Sequence, residues 1–324
     1  MCTKLSTIFV YKIHYYYKNV SAKQRKLQSI MVKERAYGKI NLGLDVLRRR
    51  PDGYHELKMI MQTVDIYDDL TFRKRKEPGI ALRIEGADLS AGTDNLICRA
   101  AALLLQEKKI TEGVEITLKK RIPIAAGMAG GSADAAAALR GVNTLLGLGC
   151  STEELQELGV KLGADIPYCL VGGTMLSEGI GEILTPLTPP PACHLVVAKP
   201  PIDVSTAFVY GHLQADKLSY HPDIDGMAQA LAVGDLKGVT DRMGNVLETV
   251  TEREYPVIGG LKELMREMGA ENALMSGSGP TVFGICKEKE QASQIAAAIE
   301  EKRLAGAVFV TTCCEGYTQT GGTP

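Results

Sequence analysis

Ile40, Leu42, Leu44 and Val46 alternate with Lys39, Asn41, Gly43 and Asp45. A repeat of two sends successive side chains to opposite faces of an extended chain. The stretch predicts a half-buried β-strand with one polar face, from which Lys39 and Asn41 project together. The turn Pro51-Asp52-Gly53 follows, with proline and glycine where a tight turn wants them. A second extended stretch, from about Tyr54 to Phe72, then predicts a long antiparallel pairing with a charged crossover at Arg48–Arg50.

Thr93-Asp94-Asn95 opens a predicted helix through Leu105, with Thr93 or Asp94 as its cap. Val114–Leu118, apolar and β-branched, predicts a short strand. Arg121 to Ser132 then feeds an alanine-rich helix running to about Leu146. Ser151-Thr152-Glu153-Glu154 fits a capping box, and Gly163 a helix stop. The three prolines in Thr188–Pro191 mark a domain boundary. Beyond it come a strand (His194–Lys199), a helical region, and Ala273–Cys286 with a second glycine-rich turn, Ser276-Gly277-Ser278-Gly279-Pro280. From Gly316 the chain is polar and glycine-rich, which predicts a frayed end.

A length of 324 residues, 45% of them hydrophobic, suits two modest domains or one large one. The formal net charge of −1 gives no reason to expect a nucleic-acid or anionic-membrane partner, although a locally basic phosphate pocket is compatible with it. No run of 18 apolar residues is present, so no membrane-spanning helix is expected. The eight cysteines form no CxxC pair and mostly sit in apolar runs, which reads as reduced core thiols of a cytoplasmic protein. The first 33 residues lack Asp and Glu and include Tyr15-Tyr16-Tyr17. Such a leader has the composition of a transit peptide, but the preferred reading starts the protein at Met31, where MVKERAYGKINLGL runs directly into a strand. Residues 1–30 are then an extension with no part in the fold.

Gly127, Gly130 and Gly131 allow close backbone approach, and the helix after them offers unpaired N–H groups and a positive dipole end. That suits a triphosphate. The loop is neither a Walker A motif nor GxGxxG, and small residues that merely permit close helix packing account for it equally well. Asp165, two residues before Pro167, reads either as a helix N-cap or as a carboxylate that takes a proton from a substrate hydroxyl. Lys39 reads as a solvated lysine or as a cation for developing phosphoryl charge. Tyr54 and His55 fit an ordinary hairpin, or a ring that stacks on a base beside a histidine that hydrogen-bonds to it.

Taken in order, AYGKINLGLDV (36–46), PIAAGMAGGSADA (123–135) and MSGSGPTVF (275–283) resemble the three motifs of the GHMP kinases. RRRPDGYHEL (48–57) and LGADIPYCL (162–170) resemble the branch that phosphorylates diphosphocytidyl-methylerythritol. The likeness runs from about Val32 to Val310; Met128 stands for the usual leucine, and Ala133-Asp134 for Ser-Asn or Ser-Ser. The resemblance implies an α+β, two-domain fold, with an N-terminal domain of ribosomal-protein type (31–187), a ferredoxin-like C-terminal domain (188–315) and a flexible tail (316–324). It implies ATP and Mg²⁺ as cofactors and a small-molecule substrate carrying a cytidine diphosphate group, and it leaves the oligomeric state and the protein ligands of the metal open. Residue by residue, it implies Asp165 as general base with Lys39 beside it. The ATP cradle would comprise Pro123, Ile124, Ala125, Ala126, Gly127, Met128, Ala129, Gly130, Gly131, Ser132 and Ala133, with Asn95 by the adenine. Asn41, Tyr54, His55, Thr206 and Tyr210 would hold the substrate, His55 reading the cytosine. Homoserine-type and mevalonate-type kinases of the same superfamily, and a non-catalytic nucleotide-binding regulator, are the rival readings.

Overall fold

The structure, a computed structural model, describes residues 31–315 and 317. The expectations for the leader and for most of the C-terminal tail lie outside those residues. The first half of the chain begins with β1 (Met31–Arg49) and β2 (His55–Arg75), paired antiparallel over most of their length. Next come β3 (Ile80–Glu85), α1 (Leu96–Glu107), β4 (Gly113–Lys119), α2 (Gly130–Leu146), α3 (Thr152–Gly159) and α4 (Ile166–Val171). The strands β5 (Thr174–Gly179) and β6 (Ile183–Pro186) close this half. Most of its strands form a sheet in the order β3-β4-β2-β1, with β5 also pairing on β2 and β6 on β5.

The second half contributes β7 (His194–Lys199), α5 (Thr206–His212), α6 (Ile224–Ala232), α7 (Leu236–Asp241) and the two-residue β8 (Gly244–Asn245), which joins the first sheet beside β1. After α8 (Glu248–Glu254) and α9 (Val257–Glu267), β9 (Asn272–Met275), β10 (Val282–Cys286), α10 (Lys289–Glu301) and β11 (Ala307–Thr312) complete a four-stranded antiparallel sheet, β11-β7-β10-β9. Among the described residues, no helix is long and apolar enough to cross a membrane.

The alternation read in β1 is real, but the strand is buried on both faces rather than half-buried. Its pairing with β2 shifts register between Tyr37 and Lys39 and again between Asn41 and Gly43. Such bulges re-aim the side chains that follow them. Ile40 and Leu42 therefore join one apolar cluster, while Leu44 and Val46 join the other. The polar residues between them, Lys39, Asn41 and Asp45, are buried too.

The two sheets are welded by the cluster that holds Ile40 and Leu42. Leu195, Val197, Phe283 and Ile285 reach into it from β7 and β10, while Val196, Ala198 and Val282 from the same strands face the other cluster. Each large aliphatic or aromatic side chain fully buried there contributes about 1.5–3 kcal/mol. On the far side of the first sheet, Ala135–Ala138 of α2 are fully buried, and Gly141 lies on the ring of Phe72. A Cβ at Gly141 would stand 2.3 Å from a Phe72 ring carbon. Gly141→Ala is accordingly expected to destabilise the fold by about 1–3 kcal/mol, read as a lower midpoint of thermal unfolding. An unchanged midpoint would show that the helix moves off the sheet freely.

The helix predictions hold with two corrections, one at a start and one at an end. The side chain that caps α1 is Asn95, accepting from the Ile97 amide at 2.9 Å, and not Thr93 or Asp94. Ser151 and Glu154 form the reciprocal capping box at α3. That helix ends by Val160, and Gly163 falls in the turn beyond it. The last described residues fold back onto the first sheet: Cys313 bridges Val64, the Cys314 amide donates to Thr63 O at 2.9 Å, and the Tyr37 amide donates to the Tyr317 hydroxyl at 3.0 Å.

Candidate active site

Between the halves lies a cavity of about 1040 Å³. Its floor is β1, one wall is the loop leading into α2, and the opposite wall is formed by α5 and the turn between β9 and β10. Asp68 sets the start of the loop. One of its oxygens accepts the amides of Arg121 and Ile122, and the other binds Lys120. Lys120 also donates to Asp134 at 2.8 Å. Burial first, and the Asp68 charge against it, push the Asp134 carboxyl up to about 8, and its Oδ1 has no hydrogen-bond partner.

The loop itself is contorted. Ala125, Gly127 and Ala129 all have positive φ, at 49°, 70° and 55°. For the two alanines this costs on the order of 1 kcal/mol each, a kind of strain that gathers at ligand-binding sites. Alternation of this sort turns successive N–H groups to one side as an anion-binding nest. At the first residues of α2, Ala129 supplies no capping side chain, and the first turn carries no acid. The orphan N–H groups and positive dipole end are thus left for an anion. Gly127 is also pinned from behind: its carbonyl accepts the Ser276 hydroxyl at 3.0 Å, and a Cβ on it would lie 2.2 Å from Ser276 O.

Across the cavity, Lys39 Nζ donates to Asn41 Oδ1 at 2.7 Å, and Asn41 Nδ2 to the Met59 sulfur at 3.2 Å. The Lys39 amide donates to Met128 O at 3.1 Å, which ties the β1 bulge to the loop. Asp165 stands at the start of α4 but makes no capping hydrogen bond, so its carboxylate is not spent on the helix. It lines the cavity together with Lys39, Thr206 and Tyr210. The Tyr210 hydroxyl is driven above its usual range, first by burial and then by the nearby Asp165 charge. The Tyr210 ring lies 5.2 Å from that of His55, centroid to centroid. Burial, and then the Arg49 charge, lower the His55 pKa from 6.5, which keeps its ring neutral at pH 7 with one donor and one acceptor. Tyr54 is exposed at the rim, and Thr206 shares a hydrogen bond of 2.9 Å with Ser278.

The cavity gathers all the residues singled out in the sequence except two. Met128 is buried in the cluster between the sheets and reaches the site only through its carbonyl, and Ala133 is packed inside the α2 interface. Asn95 is at the cavity, but its amide is engaged: Oδ1 caps α1 and Nδ2 donates to Ser90 O at 2.7 Å. Sequence reasoning missed Arg49, Lys120, Asp134, Gly277 and Ser278, all of which line the cavity. Gly277 and Ser278 were within sight in the SGSGP turn; a Cβ on Gly277 would lie 3.4 Å from Lys39 Nζ.

Among the described residues, no group of three or more His, Cys, Asp or Glu side chains could hold a metal ion.

Residues 95–173 match the family pattern described as GHMP kinases N terminal domain, and residues 227–305 match GHMP kinases C terminal. The 4-diphosphocytidyl-2-C-methyl-D-erythritol kinase of Lachnospira eligens is 48% identical over 285 residues, covering 88% of this chain and 98% of that protein. The enzyme of the same name from Geobacillus kaustophilus is 48% identical over 263 residues, covering 81% of this chain and 90% of that protein. A crystal structure of 4-(cytidine 5'-diphospho)-2C-methyl-D-erythritol kinase superposes with a TM-score of 0.74 at 33% identity, over 88% of this chain and all of that one. A homoserine kinase from Cytophaga hutchinsonii, at 20% identity and a TM-score of 0.72, shares the fold. The chain belongs to the GHMP kinases and, within them, to the 4-diphosphocytidyl-2-C-methyl-D-erythritol kinases.

Proposed function

We propose that this chain transfers the terminal phosphoryl group of ATP to the 2-hydroxyl of 4-diphosphocytidyl-2-C-methyl-D-erythritol, giving the 2-phosphate and ADP in the non-mevalonate route to isoprenoid precursors. The observation that carries this is one cavity with three distinct ends. An anion nest lies at residues 125–131, an uncapped carboxylate and a buried lysine both line the acceptor end, and a neutral histidine against a tyrosine ring supports a base-reading end.

In this reading Asp165 accepts the proton of the substrate hydroxyl. Lys39, held by Asn41, orients that carboxylate and offsets the charge that develops on the attacking oxygen. The nest and the first turn of α2 hold the phosphates by backbone N–H groups. Mg²⁺, when bound with the nucleotide, neutralises phosphate charge, and the Ser132 hydroxyl in the first turn of α2 is the loop side chain suited to hold it. His55 hydrogen-bonds the cytosine edge while Tyr210 and Tyr54 offer their rings to it. Phosphoryl transfer asks mainly for positioning and electrostatics, and a site fixed by two welded sheets supplies both. We assign residues 31–187 to the nucleotide-binding domain, 188–315 to the second domain, and the activity to the cytoplasm.

The test is ADP release by purified protein with ATP and Mg²⁺, offered the diphosphocytidyl substrate, homoserine and mevalonate in parallel. Turnover with the cytidylyl compound alone is expected. Turnover with either other acceptor would overturn the substrate, and ATP binding without turnover of any would favour a regulator.

A further inference from the structure

Three cations line the cavity, and two of them are committed. Lys120 is ion-paired with both Asp68 and Asp134, and Lys39 is held by Asn41 at the acceptor end. The third is Arg49, the last residue of β1. Its neighbours in the arginine run are tied down: Arg48 pairs with Glu56, and Arg50 with both Asp52 and Glu56. Arg49 has no ion-pair or side-chain hydrogen-bond partner among the described residues. Its backbone is nevertheless fixed directly across from His55 in the β1–β2 register, on the same face of the ribbon. The turn that follows is fixed by the Arg50 amide on Tyr54 O at 2.8 Å and by Asp52 accepting the Tyr54 amide at 3.1 Å.

An unpaired guanidinium beside a base-reading histidine, in a cavity whose other cations are used, calls for an anion carried by the molecule that the histidine reads. We infer that Arg49 binds the diphosphate of the cytidine diphosphate substrate and so discriminates a nucleoside diphosphate ester from an uncharged nucleoside. The inference rests on the proposed function for the identity of the base. The planar fork of arginine matches phosphate oxygens, and a ribose separates base from phosphate by a span that an arginine side chain can bridge from the neighbouring strand position. Arg48 cannot substitute, because β-strand alternation turns it to the other face, where Glu56 holds it.

The test compares wild-type protein with Arg49→Gln and Arg49→Lys by steady-state ADP release, and measures inhibition by CDP and by cytidine in competition with the diphosphocytidyl substrate. Arg49 is exposed, so neither change is expected to disturb folding. Arg49→Gln should raise KM for the substrate about tenfold, the scale of one hydrogen-bonded charge contact. KM for ATP and kcat should stay within about twofold, since the contact is made equally in the ground and transition states. CDP should inhibit the wild type better than cytidine; that advantage should shrink in Arg49→Gln, leaving cytidine inhibition unchanged, and Arg49→Lys should restore part of it. An unchanged substrate KM in Arg49→Gln, or an equal weakening of cytidine and CDP, would overturn the inference, the second by assigning Arg49 to support of His55. No turnover of the substrate by the wild type would remove the functional reading, and this inference with it.

Discussion

Asp165→Asn is expected to lower kcat by about 10³-fold while leaving ATP affinity within a factor of about two. Asparagine keeps the size and much of the hydrogen bonding of aspartate but cannot take a proton. The structure makes the variant unusually clean, because Asp165 sits at a helix start without capping it, so α4 loses no hydrogen bond to the side chain. Stability should hardly change, and thermal unfolding of the variant is the control. The loss should fall on kcat with no compensating change in KM for ATP, because the nest at residues 125–131 is built by a different segment. A variant with wild-type kcat would remove Asp165 from the chemistry and leave the buried Lys39 that lines the same cavity without a carboxylate to serve.

Gly127→Ala is expected to lower kcat/KM for ATP by about 10²-fold. Two effects add. At φ 70° an alanine costs on the order of 1 kcal/mol relative to glycine. The new methyl group would also stand 2.2 Å from Ser276 O and 3.0 Å from Gly279 O, both backbone atoms without rotamers to escape into. Overpacking of that sort costs about 1–3 kcal/mol, or is relieved by pushing the two loops apart. Either response spoils the alternation that turns the N–H groups inward. Because Gly277 lies against Lys39, displacement of the β9–β10 turn should also lower kcat. ATP titration, by intrinsic fluorescence of the tyrosines or by calorimetry, reads the binding part directly. Activity within threefold of wild type would show that the loop contacts ATP through side chains instead.

Much of this was legible in the chain itself, and the failures have physical causes. The alternation in β1 gave the strand, and the glycines gave the loop, because both are local. What alternation could not show is the pair of bulges around Lys39 and Asn41, which bury both faces and rotate the polar residues into a cavity. Met128 read as part of the cradle because it lies between its glycines, yet it points into the seam between sheets. Asn95, read as a nucleotide contact, lines the cavity while its amide also caps its own helix, a second duty that spacing did not show. The Lys120 cluster was invisible for a different reason: Asp68, Lys120 and Asp134 come from β2, the start of the loop and α2, and no spacing rule joins them. Arg49 was hidden in plain sight within a run of three arginines, where only the partners of the other two single it out.

The return of the chain onto the first sheet bears on how the molecule is assembled during synthesis. The Gln62 side chain donates to the Cys314 carbonyl across 252 positions, and the Tyr37 amide waits for Tyr317 across 280. These partners leave the ribosome long after β1 and β2 do, and contacts so distant in sequence form slowly. Until then Gln62 is already paired with Thr174 of β5, but the Thr63 carbonyl and the Val64 bridge lack their partners, beside the strand that carries Lys39. A chain ending before Cys313 would therefore keep its catalytic floor and lose the last clasp on the back of β2, the Val64 bridge and the bond to the Thr63 carbonyl.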